Sequence, residues 1–219
     1  MSDVITLKAV RSTPAPEGVA VRTLKTEHQA VCQVLNVLDK AVLKLEETGE
    51  APLAIFEDVL EFLTVFVDAC HHTKEEEVLF PLMGRAGVPS RGGPIGVMLA
   101  EHQEGRELIA RYRASLAALK GGDPSTQAAL IEAARAYSAL LRQHIQKENN
   151  VLFAIADRLF DSETQQEIFE SFEEIEVTKL GAGTHERLHG KIEQMVEATA
   201  GWPGAEAGPG SAGGSCACH

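Results

Sequence analysis

The stretch His71-His72-Thr73-Lys74-Glu75-Glu76-Glu77-Val78-Leu79-Phe80 has a counterpart, His144-Ile145-Gln146-Lys147-Glu148-Asn149-Asn150-Val151-Leu152-Phe153. Aligned on their common Val-Leu-Phe endings the two lie 73 positions apart, 151 against 78, which lays His71 on His144, Lys74 on Lys147 and Glu75 on Glu148. Each copy holds a His-x-x-x-Glu pair. Residues four apart share one face of a helix about a turn apart, so an imidazole and a carboxylate can converge on one point. This is how helices build a metal site.

The surroundings of both copies read as long amphipathic helices. Val21, Leu24, His28, Val31, Leu35, Leu38, Val42 and Leu45 advance by threes and fours along a first helix that Gly49 and Pro52 end. A second, from about Pro52 to Met83, carries Phe56, Leu60, Leu63, Val67, His71, Glu75, Val78 and Leu82, with Pro81 implying strain or a kink near its end. A third, from about Pro94 to Lys120, shows Ile95, Met98, His102, Gly105, Ile109, Tyr112, Leu116 and Leu119. After Gly121-Gly122, with Asp123 as N-cap, a fourth runs to about Phe160 with Leu130, Ala134, Tyr137, Leu141, His144, Glu148, Val151 and Ile155 on one face. A histidine thus replaces an apolar residue on each of four stripes. The stripe and the alignment both select His71 with Glu75 over His72 with Glu76. His72 falls about 100° round the helix and reads as supporting a ligand rather than binding metal itself.

Counting along the hairpins brings the four histidines together. His28 lies 20 residues before Thr48 and His71 lies 19 after Pro52, so both arms measure roughly 30 Å at about 1.5 Å per residue. His102 and His144 are matched in the same way about Gly121 to Pro124. Glu27-His28 also answers Glu101-His102 at an offset of 74, so the domain reads as two copies of one helical hairpin. The predicted set is His28, His71, Glu75, His102, His144 and Glu148. Two buried carboxylates need a cation, and no Lys or Arg falls on their stripes. Imidazole and carboxylate without thiolate suit iron first and manganese second, and a pair of ions uses all six groups where a single zinc would not.

The motifs Glu27-His28, His71 to Pro81, Glu101-His102 and His144 to Phe153 resemble, in order, those of the hemerythrin-like HHE cation-binding family. The resemblance covers about residues 20 to 160. It implies an all-α, up-down-up-down four-helix bundle around a non-haem di-iron centre, with His28, His71, His102 and His144 as terminal ligands and Glu75 and Glu148 as bridges. Oxygen-carrying members have a second histidine one turn after the third-helix ligand, where this chain has Arg106. That departure, with Gly105 beside it, implies a more open centre that binds and reacts with oxygen, peroxide or nitric oxide, in detoxification or sensing. The chain would then be an oxidoreductase consuming peroxide or nitric oxide. The alternatives are an iron- or oxygen-responsive binding module and an iron store or donor without turnover.

The remaining expectations are coarser. A net charge of -12 offers no basic face for nucleic acid, and no apolar run suggests a membrane span or signal peptide, so the expectation is a soluble cytoplasmic protein whose partner is a small diatomic ligand or peroxide. Residues 1–18 read as a flexible arm, 19–160 as the bundle, 161–200 as a helical extension and 201–219 as a disordered Gly- and Ala-rich tail ending Cys216-Ala217-Cys218-His219. Cys32 and Cys70 read as small buried thiols. If residues 163–179 run back along the fourth helix, His185 or His189 can add a ligand from the last one. Tyr112 and Tyr137 are candidate proton donors.

Overall fold

The computed structural model describes residues 17–181 and 183–204, and all its regular elements are helices. The four long ones are α1 (Val19–Thr48), α2 (53–85), α3 (Pro94–Lys120) and α4 (127–159), the last preceded by a 3-10 turn over Pro124–Thr126. Two more follow, α5 (162–180) and α6 (Thr184–Ala198). The punctuation acts as its chemistry dictates. Gly49 adopts a left-handed φ of 71° and donates its N–H to the Leu45 carbonyl at 2.9 Å, closing α1. Asp123 accepts from the Ser125 N–H at 3.1 Å, and Asp161 from the Thr164 N–H at 2.9 Å to start α5.

The long helices pack in a ring, α1 on α2 and α4, and α3 on α2 and α4. Two apolar clusters fill the ring. Leu35, Leu38, Val42, Phe56, Phe62, Tyr112, Leu116 and Leu130 belong to the larger one. Leu24, Phe80, Met83, Met98 and Phe153 belong to the smaller, each fully buried large side chain contributing about 1.5–3 kcal/mol. The histidines and the two glutamates occupy the layer between the clusters.

The three-four rhythm fails just beyond that layer. Val151 is 51% exposed, whereas Leu152, Phe153 and Ala156 are buried; in α2, Leu79, Phe80 and Met83 are buried in place of Val78 and Leu82. The cause lies in the backbone. Lys74–Leu79 and Glu148–Leu152 are π-helical, and the widened turn advances the buried face by one residue in both copies of the motif. Pro81 then falls in the first turn of a new α-helical run, Phe80–Arg85, where a missing N–H is tolerated.

The extension corrects a second expectation. α5 packs along α1 and the later part of α2 rather than back along α4, and α6 covers α1 and the earlier part of α2. Ile168 and Phe172 of α5 join the smaller cluster, and Leu188, Ile192 and Met195 of α6 the larger, so each apolar face meets the open side of the first hairpin. Among the described residues no helix is long and apolar enough to cross a membrane. Of the arm expected at 1–18, residues 1–16, and of the tail expected at 201–219, residues 205–219 with Cys216, Cys218 and His219, lie outside the described residues.

Candidate metal centre

Each predicted ligand is contributed by a different turn of the four long helices, and all six are buried. The imidazoles meet in pairs: His28 Nε2 lies 3.0 Å from His71 Nε2, and His102 Nε2 lies 3.1 Å from His144 Nε2. The carboxylates join the pairs. Glu75 approaches His71 Nε2 at 3.6 Å with one oxygen and His102 Nε2 at 3.4 Å with the other. Glu148 Oε2 lies 3.3 Å from His28 Nε2 and 3.1 Å from His144 Nε2.

The opposite edge of each ring is held by an acceptor on another helix. His71 Nδ1 faces Glu27 Oε2 at 2.6 Å and His144 Nδ1 faces Glu101 Oε2 at 3.0 Å. His28 Nδ1 faces Asn149 Oδ1 at 2.9 Å, and His102 Nδ1 faces Glu76 Oε1 at 2.7 Å. The duplication extends to these supports, because Glu27 answers Glu101 and Glu76 answers Asn149. A ring that donates from Nδ1 presents the Nε2 lone pair, so each facing pair is built to share a cation. The first supporting carboxylate is itself bound by a lysine in each half: Lys74 to Glu27, and Lys147 to Glu101. Lys74 is completely buried and also bonds Glu176 of α5. Buried Lys74 lies off the ligand stripe; it recurs in the repeat opposite Lys147, but nothing in the sequence marks it as buried.

The two central carboxylates are pushed in opposite directions. No oxygen of Glu75 or Glu148 accepts a well-directed hydrogen bond. Burial and the adjacent Glu148 push the Glu75 carboxyl well above its ordinary range. Burial acts the same way on Glu148, but the His144 and His28 imidazoles outweigh it and hold Glu148 well down. Burial opposes a charge on His144 too, yet Glu148, Glu101 and Glu75 raise it to about 9. Burial takes His71 down to about 4, while Glu27, despite burial, is held at about 2 by His71 and Lys74. Four orphan carboxylate oxygens and two pairs of facing ring nitrogens fit a cationic metal centre. The described residues form two groups whose donor atoms lie within 4.8 Å of one another: His28, His71, Glu75 and Glu148, and His72, Glu75, His102 and His144.

These protonation states give an expected result. His144 must shed its proton to bind metal, so affinity should climb by up to about tenfold per pH unit between pH 6.5 and about 9 and level off above. Chelator competition at fixed intervals across that range measures it. A flat profile would mean that His144 carries no proton to lose in the metal-free layer.

Several residues stand apart from their expected places. His72 belongs to one metal-holding group. His185 and His189 belong to neither: their rings lie 4.6 Å apart on α6, in a separate cavity with Phe66, Glu173 and Glu176, because α5 and α6 follow α1 and α2. Tyr112 donates to the Phe56 carbonyl at 2.9 Å within the larger core cluster, so its proton is committed. Arg106 turns away from the layer, with Nε on Asp68 Oδ1 and Nη2 on Glu76 Oε1, both at 2.7 Å. A cavity of about 250 Å³ is lined by His72, Gly105, Arg106 and Tyr137. A Cβ on Gly105 would meet Tyr137 at an ordinary 3.7 Å, so close helix packing does not demand the glycine. Cys32 and Cys70 are buried thiols, as expected.

This arrangement is that of a helical, His- and Glu-rich cation-binding domain. Residues 19–156 match the hemerythrin HHE cation binding domain, and the chain belongs to that family. Uncharacterized proteins of Mycobacterium bovis and of two strains of Mycobacterium tuberculosis are each 22% identical to it over 186 residues, covering 84% of this chain and 72% of theirs. No solved structure matches.

Proposed function

We propose that this chain is a non-haem di-iron protein of the up-down-up-down four-helix type that binds and reacts with oxygen, peroxide or nitric oxide. One observation carries the reading: Glu75 and Glu148 each reach one imidazole of both histidine pairs, the disposition of two carboxylates that bridge two ions. His28 and His71 would hold one ion, His102 and His144 the other. When bound, a ferrous pair supplies two electrons to a small oxidant. The chain's own residues do the rest. Glu27, Glu76, Asn149 and Glu101 fix the ring orientations, the apolar clusters above and below exclude bulk water, and the cavity beside His72 and Gly105 admits a small molecule. Placing Arg106 where oxygen carriers have a ligand supports reaction over reversible storage.

A second reading, an iron-responsive switch, draws on the chain of contacts from Glu176 on α5 through Lys74 and Glu27 to His71. Anaerobic loading with ferrous iron should give about two ions per chain. Stopped-flow mixing with hydrogen peroxide or nitric oxide then separates the readings. Repeated, rapid consumption supports the reactive centre. A metal-dependent change in protease sensitivity of α5 and α6 without consumption supports the switch and overturns the enzyme.

A further inference from the structure

The last two helices carry donor groups that the layer between the clusters does not use. His185 and His189 stand four apart on α6, so they share one face about a turn apart. Their ring centroids lie 4.6 Å apart with the planes tilted at 51°, a disposition in which a nitrogen of each can turn to one point. His185 is half-buried and His189 exposed. Apart from each other and Phe66, 6.1 Å from His185 between centroids, the rings are uncommitted: neither takes part in a hydrogen bond or ion pair among the described residues. Both face a cavity of about 370 Å³ walled by α1, α2, α5 and α6. Three carboxylates line that cavity against one cation, Arg22. Glu27 and Glu176 are taken up by Lys74. Glu173 is exposed, and its carboxylate has no partner among the described residues.

We propose that His185, His189 and Glu173 form an outer site for one divalent first-row transition-metal ion, separate from the buried layer. Two imidazoles and a carboxylate without thiolate suit such ions, nickel and copper more tightly than iron or manganese. Magnesium and calcium, which ask for oxygen donors throughout, fit poorly. The Glu173 carboxylate does not lie against the rings in the structure and joins them by a change of rotamer, at the modest entropic cost of fixing an exposed side chain. An ion held there ties α6 to α5 across the turn shaped by Gly181 and Gly183, whose φ angles are 76° and 79°. The site draws on none of the six ligands of the layer and stands whether or not that layer holds two ions.

The test compares wild type with the double variant His185→Gln/His189→Gln, which should keep its helical content and metal-free melting because neither ring bonds to the rest of the fold. Titrated with nickel against a chromophoric chelator, wild type should take up one more equivalent than the double variant. The buried layer and the terminal Cys216-Ala217-Cys218-His219 are the same in both, so the difference reads this site alone. Each single histidine variant, losing a ligand outright, should weaken that equivalent by at least the roughly 10–100-fold that disturbing a metal's surroundings costs, and Glu173→Gln by about tenfold. With cupric ion, the difference in electron paramagnetic resonance between wild type and double variant should show coupling to two imidazole nitrogens. Equal nickel uptake of equal affinity in the two proteins would overturn the site. Undiminished affinity in Glu173→Gln, or coupling to a single nitrogen, would overturn the three-donor assignment.

Discussion

Glu75→Leu is expected to raise the melting temperature of the metal-free protein, or leave it unchanged, while abolishing its stabilisation by metal. In the metal-free layer Glu75 is wholly buried beside Glu148, with neither oxygen hydrogen-bonded. Exchanging such a group for a packed apolar side chain is commonly neutral or stabilising by about 1–4 kcal/mol. The sign with pH follows from its elevated pKa. The protonated acid is tolerated at low pH, and wild-type stability falls as pH rises toward that pKa, so the advantage of leucine grows with pH. Metal reverses the order. Wild type with ligand at a hundred times its Kd gains about 2.7 kcal/mol, or roughly 5–10 °C for a chain of this size. The variant, without the carboxylate that approaches both histidine pairs, should gain almost nothing. Thermal melts with and without ferrous iron give the four numbers needed. A destabilised metal-free variant, or one with a wild-type metal response, would contradict the roles given to Glu75.

The second large effect separates two lysines that the sequence makes equivalent. Lys74→Met should destabilise the protein by about 3–5 kcal/mol, because it strands the buried Glu27 carboxylate and breaks the tie to Glu176. Lys147→Met removes the matching contact to Glu101, but its side chain is 42% exposed and water replaces it, so about 1 kcal/mol or less is expected. Denaturant unfolding of the two variants side by side decides it. Equal losses would mean that Lys74 is not the internal counter-charge described.

How much of this could be read from residues alone follows from which interactions are periodic. The four helices, their boundaries at Gly49 and Asp123, and the convergence of four histidines were legible because apolar spacing and capping chemistry are local. The supports were not. Glu27 and Glu101 were visible as partners in a repeat, but their bonds to His71 and His144 run between helices. Lys74 was misleading, since a lysine off the apolar stripe ordinarily faces water, and only α5 lying over α2 encloses it. His72 and the register change at Leu79 and Leu152 share one cause, a widened helical turn that a 3.6-residue rhythm cannot represent. The path of α5 was unreadable because the contacts that fix it, Ile168 and Phe172 in the smaller cluster, join elements far apart in sequence.

The way the carboxylates reach across has a kinetic consequence. Each histidine pair belongs to a single hairpin, α1 with α2 or α3 with α4, whereas Glu75 and Glu148 each approach the pair of the opposite hairpin. The hairpins can therefore form from contacts near in sequence, and their docking buries the two acids. A metal bound there would be held by donors of both hairpins. Its exchange with the surroundings should then be timed by the rate at which the hairpins part, far slower than the breaking of any single metal–ligand bond.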